Sequence, residues 1–172
     1  MTLLSPSLSL PTRQIIVKGR AFVRLTETPL DVVMAALSFT TATNAGKIAT
    51  WLENDPRIDY VTYAGLDSSP YSKLVPKICP KGAGALFTIA VKGGYDACIK
   101  LVDSLEIFSH VANLGDARSL IIHSASTTHR QLSPEQQEAA GAGPNIVRLS
   151  IGIENVEDLI ADLDQALTKA TA

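Results

Sequence analysis

The chain has 172 residues, an apolar content of 46% and a formal net charge of −2, with a pI of about 5.9. This length and apolar content suffice for one domain with a buried core. The weakly acidic balance gives no electrostatic footprint for nucleic-acid binding. No apolar run reaches the roughly 20 residues that a transmembrane helix requires, so we expect no membrane partner.

The N-terminal composition and the two cysteines predict a cytoplasmic protein. Residues 1–11 lack a basic segment, and Pro6 interrupts their apolar residues, so no secretory signal is expected. Residues 1–26 contain four basic residues and no acid, a composition that also occurs in transit peptides. Cys79 and Cys98 form no Cys-x-x-Cys pair and are predicted to be reduced thiols.

Residues 1–42 are predicted to form a partly disordered N-terminal extension. Their Ser-, Leu- and Pro-rich start precedes apolar stretches that could hold a short strand between residues 14 and 25. The pair Thr28-Pro29 can open a helix over residues 30–39, because proline is favoured at the first helical position.

From residue 43 onward the apolar spacing alternates between helical and strand periods. The predicted elements are a helix at 44–53, strands at 57–63 and 85–91, a helix at 95–105, a strand at 118–123, a short helix from 134, a strand at 146–151 and a last helix from 156. Ser133 and Gln136 predict a capping box for the short helix, and Asn155 a cap for the last one. Four strands with helices segregated to one side predict an α+β two-layer sandwich.

The strand at residues 146–151 contains one arginine within an apolar, alternating run. Leu149 and Ile151 share one face, so Arg148 and Ser150 fall on the other. A guanidinium at the centre of a short strand is rarely buried unless it is paired. It could lie on a solvated face with an internal acid partner. Alternatively, its planar fork could hold a carboxylate or phosphate through two hydrogen bonds.

Other residue types that carry chemistry give weaker patterns. His123 and His129 are six residues apart, and no cysteine or acid completes a zinc-like spacing. Lys81-Gly-Ala-Gly84 precedes a strand, whereas a phosphate loop follows one. The sequence contains no Gly-x-Ser-x-Gly motif. We therefore predict neither metal ligands nor catalytic residues.

Two motifs carry a resemblance to a known family. The run Arg148-Leu-Ser-Ile-Gly-Ile-Glu154, with the helix start after it, resembles the C-terminal signature of the Cys/Met-metabolism pyridoxal-phosphate (PLP) enzymes. Asn113-Leu-Gly-Asp-Ala-Arg-Ser-Leu120 and Ser126-Thr-Thr-His129 are similar to segments of one branch, the O-acetylhomoserine sulfhydrylases. The resemblance spans about residues 44–170. It implies that residues 43–172 form the C-terminal substrate-binding domain, with a mainly antiparallel sheet of about four strands and helices on one face.

The resemblance also implies substrate-binding residues. The arginine that matches Arg148 grips the substrate α-carboxylate in this family. Asn113 stands where related γ-synthases and γ-lyases carry a serine that touches the carboxylate, and Thr128 matches a threonine of the same pocket. Ala112 replaces a substrate-selecting glutamate of some γ-lyases, which favours the sulfhydrylase branch. Ser124 departs from the family's His-Pro, which leaves this loop less constrained in φ.

The cofactor that the resemblance implies is PLP. In the family, the large domain supplies the Schiff-base lysine, the phosphate cup and the groups that face the pyridine ring. None of the eight lysines of this sequence lies in the family's Ser-x-Thr-Lys-type context. We therefore expect no cofactor-binding residues, and a chain that is not catalytic alone.

Three hypotheses follow for the function. The first is the carboxylate-binding domain of an O-acetylhomoserine sulfhydrylase-like transferase, which would make homocysteine for methionine metabolism and transsulfuration. The second is a non-catalytic interaction module that pairs with a full-length homologue or with itself. The third is a truncated gene product without a selected function.

Overall fold

The computed structural model describes residues 13–16, 22–25, 30–113 and 116–172, with side chains from residue 37 onward. The expectations for residues 1–11 and for the helix start at Thr28-Pro29 lie outside the described residues.

The chain forms seven strands and five helices within these limits. The strands are β1 (Arg13–Ile16), β2 (Phe22–Leu25), β3 (Ile58–Thr62), β4 (Leu86–Val91), β5 (Ser109–His110), β6 (Leu120–His123) and β7 (Ile146–Ser150). The helices are α1 (Leu30–Glu53), α2 (Val75–Ile78), α3 (Gly94–Ser104), α4 (Pro134–Ala139) and α5 (Val156–Ala170), with a 3₁₀ turn at Ser124–Ser126. β1 and β2 pair with each other as a separate antiparallel hairpin, where the sequence predicted a single short strand.

The main sheet has five strands in the order β3-β4-β7-β6-β5. All neighbours are antiparallel except β5 and β6, which run parallel. The expectation of about four strands misses β5, since no element was predicted between residues 105 and 118. β5 has only two residues and exists through its pairing with Leu120 and Ile121, a tertiary contact that leaves no local periodicity.

α1 is one continuous helix of 24 residues, where the sequence predicted two. The sequence predicted that the first helix ends at residue 39 and that the second begins at residue 44, and the threonines between them are weak helix formers. There the hydroxyls of Thr41 and Thr43 donate to the carbonyls of Ser38 and Phe39, at 3.1 and 2.8 Å. The helix continues past residue 42, where the extension was predicted to end, and that domain division stays a prediction.

The hydrophobic core lies between one face of the sheet and the helices α1, α3 and α5. The sheet contributes side chains that alternate along the strands: Phe87, Ile89, Val91, Ile121, Val147 and Leu149. The helices contribute Ile48 and Leu52 from α1, Cys98 and Leu101 from α3, and Leu159, Leu163 and Leu167 from α5. The core therefore covers one face of the sheet, and it fixes which side chains of β7 turn away from the helices.

Both predicted helix caps are present. Ser133 accepts from the N–H of Gln136, whose side chain accepts from the N–H of Ser133 in return. Asn155 accepts from the N–H groups of Glu157 and Asp158 at the start of α5. The two cysteines are free thiols, with Cys79 exposed and Cys98 in the core. Burial raises the pKa of Cys98 to about 12.

Candidate anion-binding site

Arg148 lies at the middle of β7, the central strand of the sheet. Its register partners are Thr88 on β4 and Ile122 on β6. Because Val147 and Leu149 belong to the core, Arg148 and Ser150 lie on the opposite face, as the alternation predicted. The strand thus turns one cation away from the helices at the centre of the sheet.

The guanidinium of Arg148 is half-buried, and its immediate neighbours are not charged. Ile122 beside it is buried and Thr88 is half-buried. Within the part of the chain that the structure describes, the side chain makes no ion pair and no hydrogen bond; the three ion pairs found there belong to Arg57 and Arg118. The internal acid partner that one interpretation required is therefore not found among these residues. A half-buried guanidinium with five free donors favours an external anion.

Asn113 follows the parallel edge strand by three residues, and its side chain is exposed. β5 ends at His110, which pairs with Ile121 of β6, one residue before the neighbour of Arg148. Parallel strands end at the same edge of a sheet, so Asn113 leaves the sheet close to the end of β6.

Thr128 follows β6 through the 3₁₀ turn, and it too is exposed. Its hydroxyl lies 2.9 Å from Nδ1 of His129. Where the resemblance implies a proline, Ser124 opens the turn, and the hydroxyl of Thr127 donates to the carbonyl of His123 instead. This bond is a local constraint on the loop in place of a fixed φ.

His123 holds the loop that contains Thr128 through two hydrogen bonds of its ring. It is fully buried, with Nδ1 at 3.0 Å from Ser126 Oγ and Nε2 at 2.9 Å from the carbonyl oxygen of Pro144. Since a carbonyl only accepts, Nε2 carries the proton. Burial lowers the pKa of His123, so the ring is neutral at pH 7 and ties the Thr128 loop to the entry of β7.

The three predicted substrate-binding residues therefore come from neighbouring strands. Asn113 and Thr128 follow the ends of two parallel strands, and Arg148 lies two residues inside the strand that starts at this edge. None of the hydrogen bonds among the described residues joins Arg148, Asn113 or Thr128 to one another. The assignment of all three to one carboxylate stays a prediction.

Sequence reasoning missed a buried carboxylate at the edge of the sheet where β6 begins and β7 ends. Glu154 is only 4% exposed and accepts from the N–H and the hydroxyl of Ser119 at 2.8 and 2.9 Å. Its signal was an acid at the end of an apolar run inside the matching motif. The partner Ser119 is distant in sequence, and no local pattern indicated it.

A cavity of about 470 Å³ lies between α1 and the edge of the sheet where β4 begins and β7 ends. Its lining is mainly apolar, with Ser38, Thr41, Asp116 and Ser150 as the polar contributors. It contains no basic side chain that could neutralise a phosphate. The seven lysines in the described part of the chain all have exposed side chains, and the eighth, Lys18, lies outside it. The described residues thus do not fit a PLP site, which needs a lysine and a phosphate cradle together.

The described residues contain neither a membrane-spanning helix nor a group of potential metal ligands. No helix there is both long enough and apolar enough to cross a membrane. No group of three or more His, Cys, Asp or Glu side chains within those residues could hold a metal ion.

The chain folds into a mixed sheet with helices over one face, and the arginine at its centre has no partner among the described residues; a comparison with family models identifies the family. The model of the Cys/Met-metabolism PLP-dependent enzymes matches residues 38–168. The chain belongs to this family.

Relatives within the family include O-acetylhomoserine sulfhydrylases and a homocysteine synthase. O-acetyl-L-homoserine sulfhydrylase 1 of Thermus thermophilus is 47% identical over 124 residues, which cover 72% of this chain and 30% of that protein. Homocysteine synthase of Schizosaccharomyces pombe is 42% identical over 127 residues, covering 74% and 30%. The structure of a candidate O-acetylhomoserine (thiol)-lyase from Campylobacter jejuni, which contains a pyridoxyl-lysine, superposes with a TM-score of 0.73 at 42% identity, covering 78% and 32%. The chain thus spans about a third of each of these proteins.

Proposed function

We propose that this chain is the part of an O-acetylhomoserine sulfhydrylase-like transferase that binds the α-carboxylate of the amino-acid substrate. Arg148 would hold the carboxylate through two hydrogen bonds, and Asn113 and Thr128 would add polar contacts. The reaction would replace the γ-acetoxy group of O-acetylhomoserine by sulfide, releasing acetate and giving homocysteine in the cytoplasm. The observation that carries the proposal is that Arg148 is half-buried and its side chain has no ion-pair or hydrogen-bond partner among the described residues.

An amino-acid substrate needs such a grip for a simple reason. Its reacting end must be presented in one orientation, and a bidentate arginine fixes the other end in both position and plane. Ile122 and Thr88 flank Arg148 on the two neighbouring strands, and Arg148 is half-buried. A charge-assisted hydrogen bond at such a partly desolvated position is stronger than one in water.

The proposal is tested by titrating the ¹⁵N-labelled chain with O-acetyl-L-homoserine and with its methyl ester, which lacks the carboxylate charge. We expect saturable binding of the acid and at least tenfold weaker binding of the ester. Arg148→Ala should weaken binding of the acid by roughly 10- to 100-fold, the value of a charge-assisted hydrogen-bonded pair. Arg148→Lys should fall between, since it keeps the charge and loses the planar fork.

The control is Arg130→Ala, which removes an exposed arginine outside the sheet. It should bind as the wild type does. Equal affinities for acid and ester, or an Arg148→Ala variant with unchanged affinity, would contradict the proposal.

A second part of the proposal concerns the cofactor. We propose that this 172-residue chain does not form the Schiff base on its own and is inactive alone, which the exposed side chains of the described lysines support. Borohydride reduction after incubation with PLP, followed by mass spectrometry, should give only scattered partial labelling. One stoichiometric adduct at a single lysine would contradict this part and leave the carboxylate site unaffected.

A non-catalytic interaction module is the alternative function. Large apolar side chains are exposed on several elements, among them Phe39 of α1 at 67% and Tyr60 of β3 at 53%. Exposed apolar surface marks partner sites, and the chain spans only about a third of its relatives.

Size-exclusion chromatography with light scattering, alone and after mixing with an intact sulfhydrylase, separates these outcomes. Stable co-elution with the intact enzyme, without amino-acid binding by the chain itself, would favour the interaction module. A chain that neither binds the amino acid nor associates is what the third hypothesis, a product without selected function, predicts.

A further inference from the structure

Glu154 and Ser119 form a buried contact between two parts of the proposed site. The carboxylate of Glu154 accepts from the N–H of Ser119 through Oε1 and from its hydroxyl through Oε2, at 2.8 and 2.9 Å. Ser119 is fully buried. Because a carboxylate taken out of water must be hydrogen-bonded to be tolerated, this geometry is strongly fixed.

Ser119 extends the contact to three strands. Its Oγ accepts from the N–H of Gly152, just beyond β7, at 2.8 Å. Its carbonyl accepts from the N–H of Ser109 on β5, at 3.0 Å. Leu120 next to it pairs with Ser150. One serine therefore connects the end of the arginine strand to the strand that leads to Asn113.

Further hydrogen bonds stabilise the same region around Glu154 and Ser119. The N–H of Ile153 donates to the carbonyl of Ala117 at 3.0 Å, which ties the chain before β6 to the chain after β7. The side chain of Asn44 donates from α1 to the carbonyls of Gly152 and Glu154, at 3.3 and 2.9 Å. A Cβ at Gly152 would overlap the Ala117 carbonyl and the Glu154 carboxylate, so only glycine permits this approach.

These contacts hold together the strands that carry the proposed site, at the edge of the sheet where β6 begins and β7 ends. Ser119 is bonded to Ser109 of β5, the strand that ends three residues before Asn113. Arg148 lies four residues before Gly152, on the strand that the same contact holds. We propose that Glu154 is a positioning residue, which through Ser119 fixes β5, the strand that leads to Asn113, against the Arg148 strand and so sets the affinity for the substrate carboxylate. This inference rests on the proposed function.

Asp162 provides the structural counterpart that separates positioning from stability. It is 5% exposed, and like Glu154 it accepts from backbone N–H groups, those of Glu106 and Ile107 at 2.9 and 2.8 Å. It lies on α5 and holds the loop between α3 and β5. Removing the negative charge should therefore lower the stability of the folded chain at either residue. Only the change at Glu154 should also lower the affinity of the site for the substrate carboxylate.

The experiment compares Glu154→Gln with Asp162→Asn in the full chain. A glutamine amide nitrogen cannot accept a hydrogen bond, so Glu154→Gln leaves one of the two Ser119 donors without its acceptor. We expect both variants to lower the urea midpoint. Only Glu154→Gln should weaken O-acetyl-L-homoserine binding, by roughly tenfold, the effect of one misplaced hydrogen bond to a charged group. Glu157→Gln is the surface control, because Glu157 is an exposed acid on α5, the helix that contains Asp162.

A second measurement needs no ligand. Without any amino acid present, the Asn113 amide and the Arg148 Nε–H resonances should shift, and the amides of Ala112 and Asn113 should exchange faster, in Glu154→Gln and not in Asp162→Asn. Equal effects of the two variants on affinity and on these resonances would overturn the positioning role. The proposed function would survive that result if Arg148→Ala still weakened binding of the amino acid, whereas unchanged binding by Arg148→Ala would contradict the proposed function itself.

Discussion

The two faces of the sheet differ although the same strands build them. On the covered face, Ile89, Val147 and Leu149 are fully buried against three helices. On the other face, Ile122 is buried, Arg148 is half-buried and Thr62 at the edge is exposed. Alternation along each strand separates these roles by a single residue step. Stability should therefore be lost by changes on one face, and anion binding by changes on the other.

The largest expected effect comes from the covered face. Leu149→Ala should lower the free energy of unfolding by about 3 kcal/mol, because it leaves a cavity beneath the central strand. Leu86→Ala is the matched control, since Leu86 lies on the opposite face of β4 and is 43% exposed. Its cost should stay within about 0.5 kcal/mol. Urea denaturation measures both, and similar losses would show that the two faces do not divide these roles.

A smaller effect should follow from the helix that covers this face. Asn155→Ala removes the side chain that accepts from the N–H groups of Glu157 and Asp158 at the start of α5. The expected loss is about 1 kcal/mol in the free energy of unfolding. Asn155→Asp should retain most of the stability, because it keeps the acceptor. Failure of the aspartate to do so would mean that the residue acts otherwise than as a cap.

His123 gives the covered face a pH dependence. Burial lowers its pKa in the folded chain, whereas an unfolded histidine titrates at about 6.5. The unfolded state therefore binds the proton first. Stability should be full above pH 6.5 and should decline as the pH falls through that value toward the lower folded pKa. Unfolding curves between pH 5 and 8 measure this slope.

The control for this slope is a second histidine variant. His123→Gln should flatten the pH dependence, whereas His129→Gln, which removes a histidine from the less buried loop, should leave it in place. A slope that persists in His123→Gln would assign the pH dependence to other groups.

The smallest effect is expected at the centre of the opposite face. Arg148→Met keeps the length of the side chain and removes a charge that has no partner among the described residues. The free energy of unfolding should change by no more than about 0.5 kcal/mol in either direction. A loss of more than about 2 kcal/mol would reveal an internal partner of the guanidinium and would undo the contrast between the faces.

The sequence predicted correctly those features that depend on residues close together in the chain. The alternation at residues 146–151 gave the correct face for Arg148, and both predicted caps are present. β5 could not be found this way, because two residues carry no period and the strand forms only against β6. The continuity of α1 was missed for a similar reason, since its middle has weak intrinsic propensity and its Asn44 is held by a contact with the end of β7.

The candidate site likewise has a part that the sequence predicts and a part that only the folded structure shows. Arg148 was identifiable because an arginine breaks an apolar run, and the residues nearby matched family motifs. The lack of an internal acid partner is a property of the folded chain and needed the structure. The Glu154–Ser119 contact joins residues 35 positions apart, so no window of sequence could indicate it.

The strand order imposes a sequence of events during synthesis. β7 occupies the middle of the main sheet, yet it is made after β3, β4, β5 and β6. Until the ribosome has released residue 150, the β3–β4 hairpin and the β5–β6 pair have no common neighbour, and the apolar sides of both remain open. Long-range pairing of this kind slows folding and lengthens the exposure of unpaired strand edges. The nascent chain should therefore depend on chaperone protection up to the moment when its arginine-bearing strand emerges.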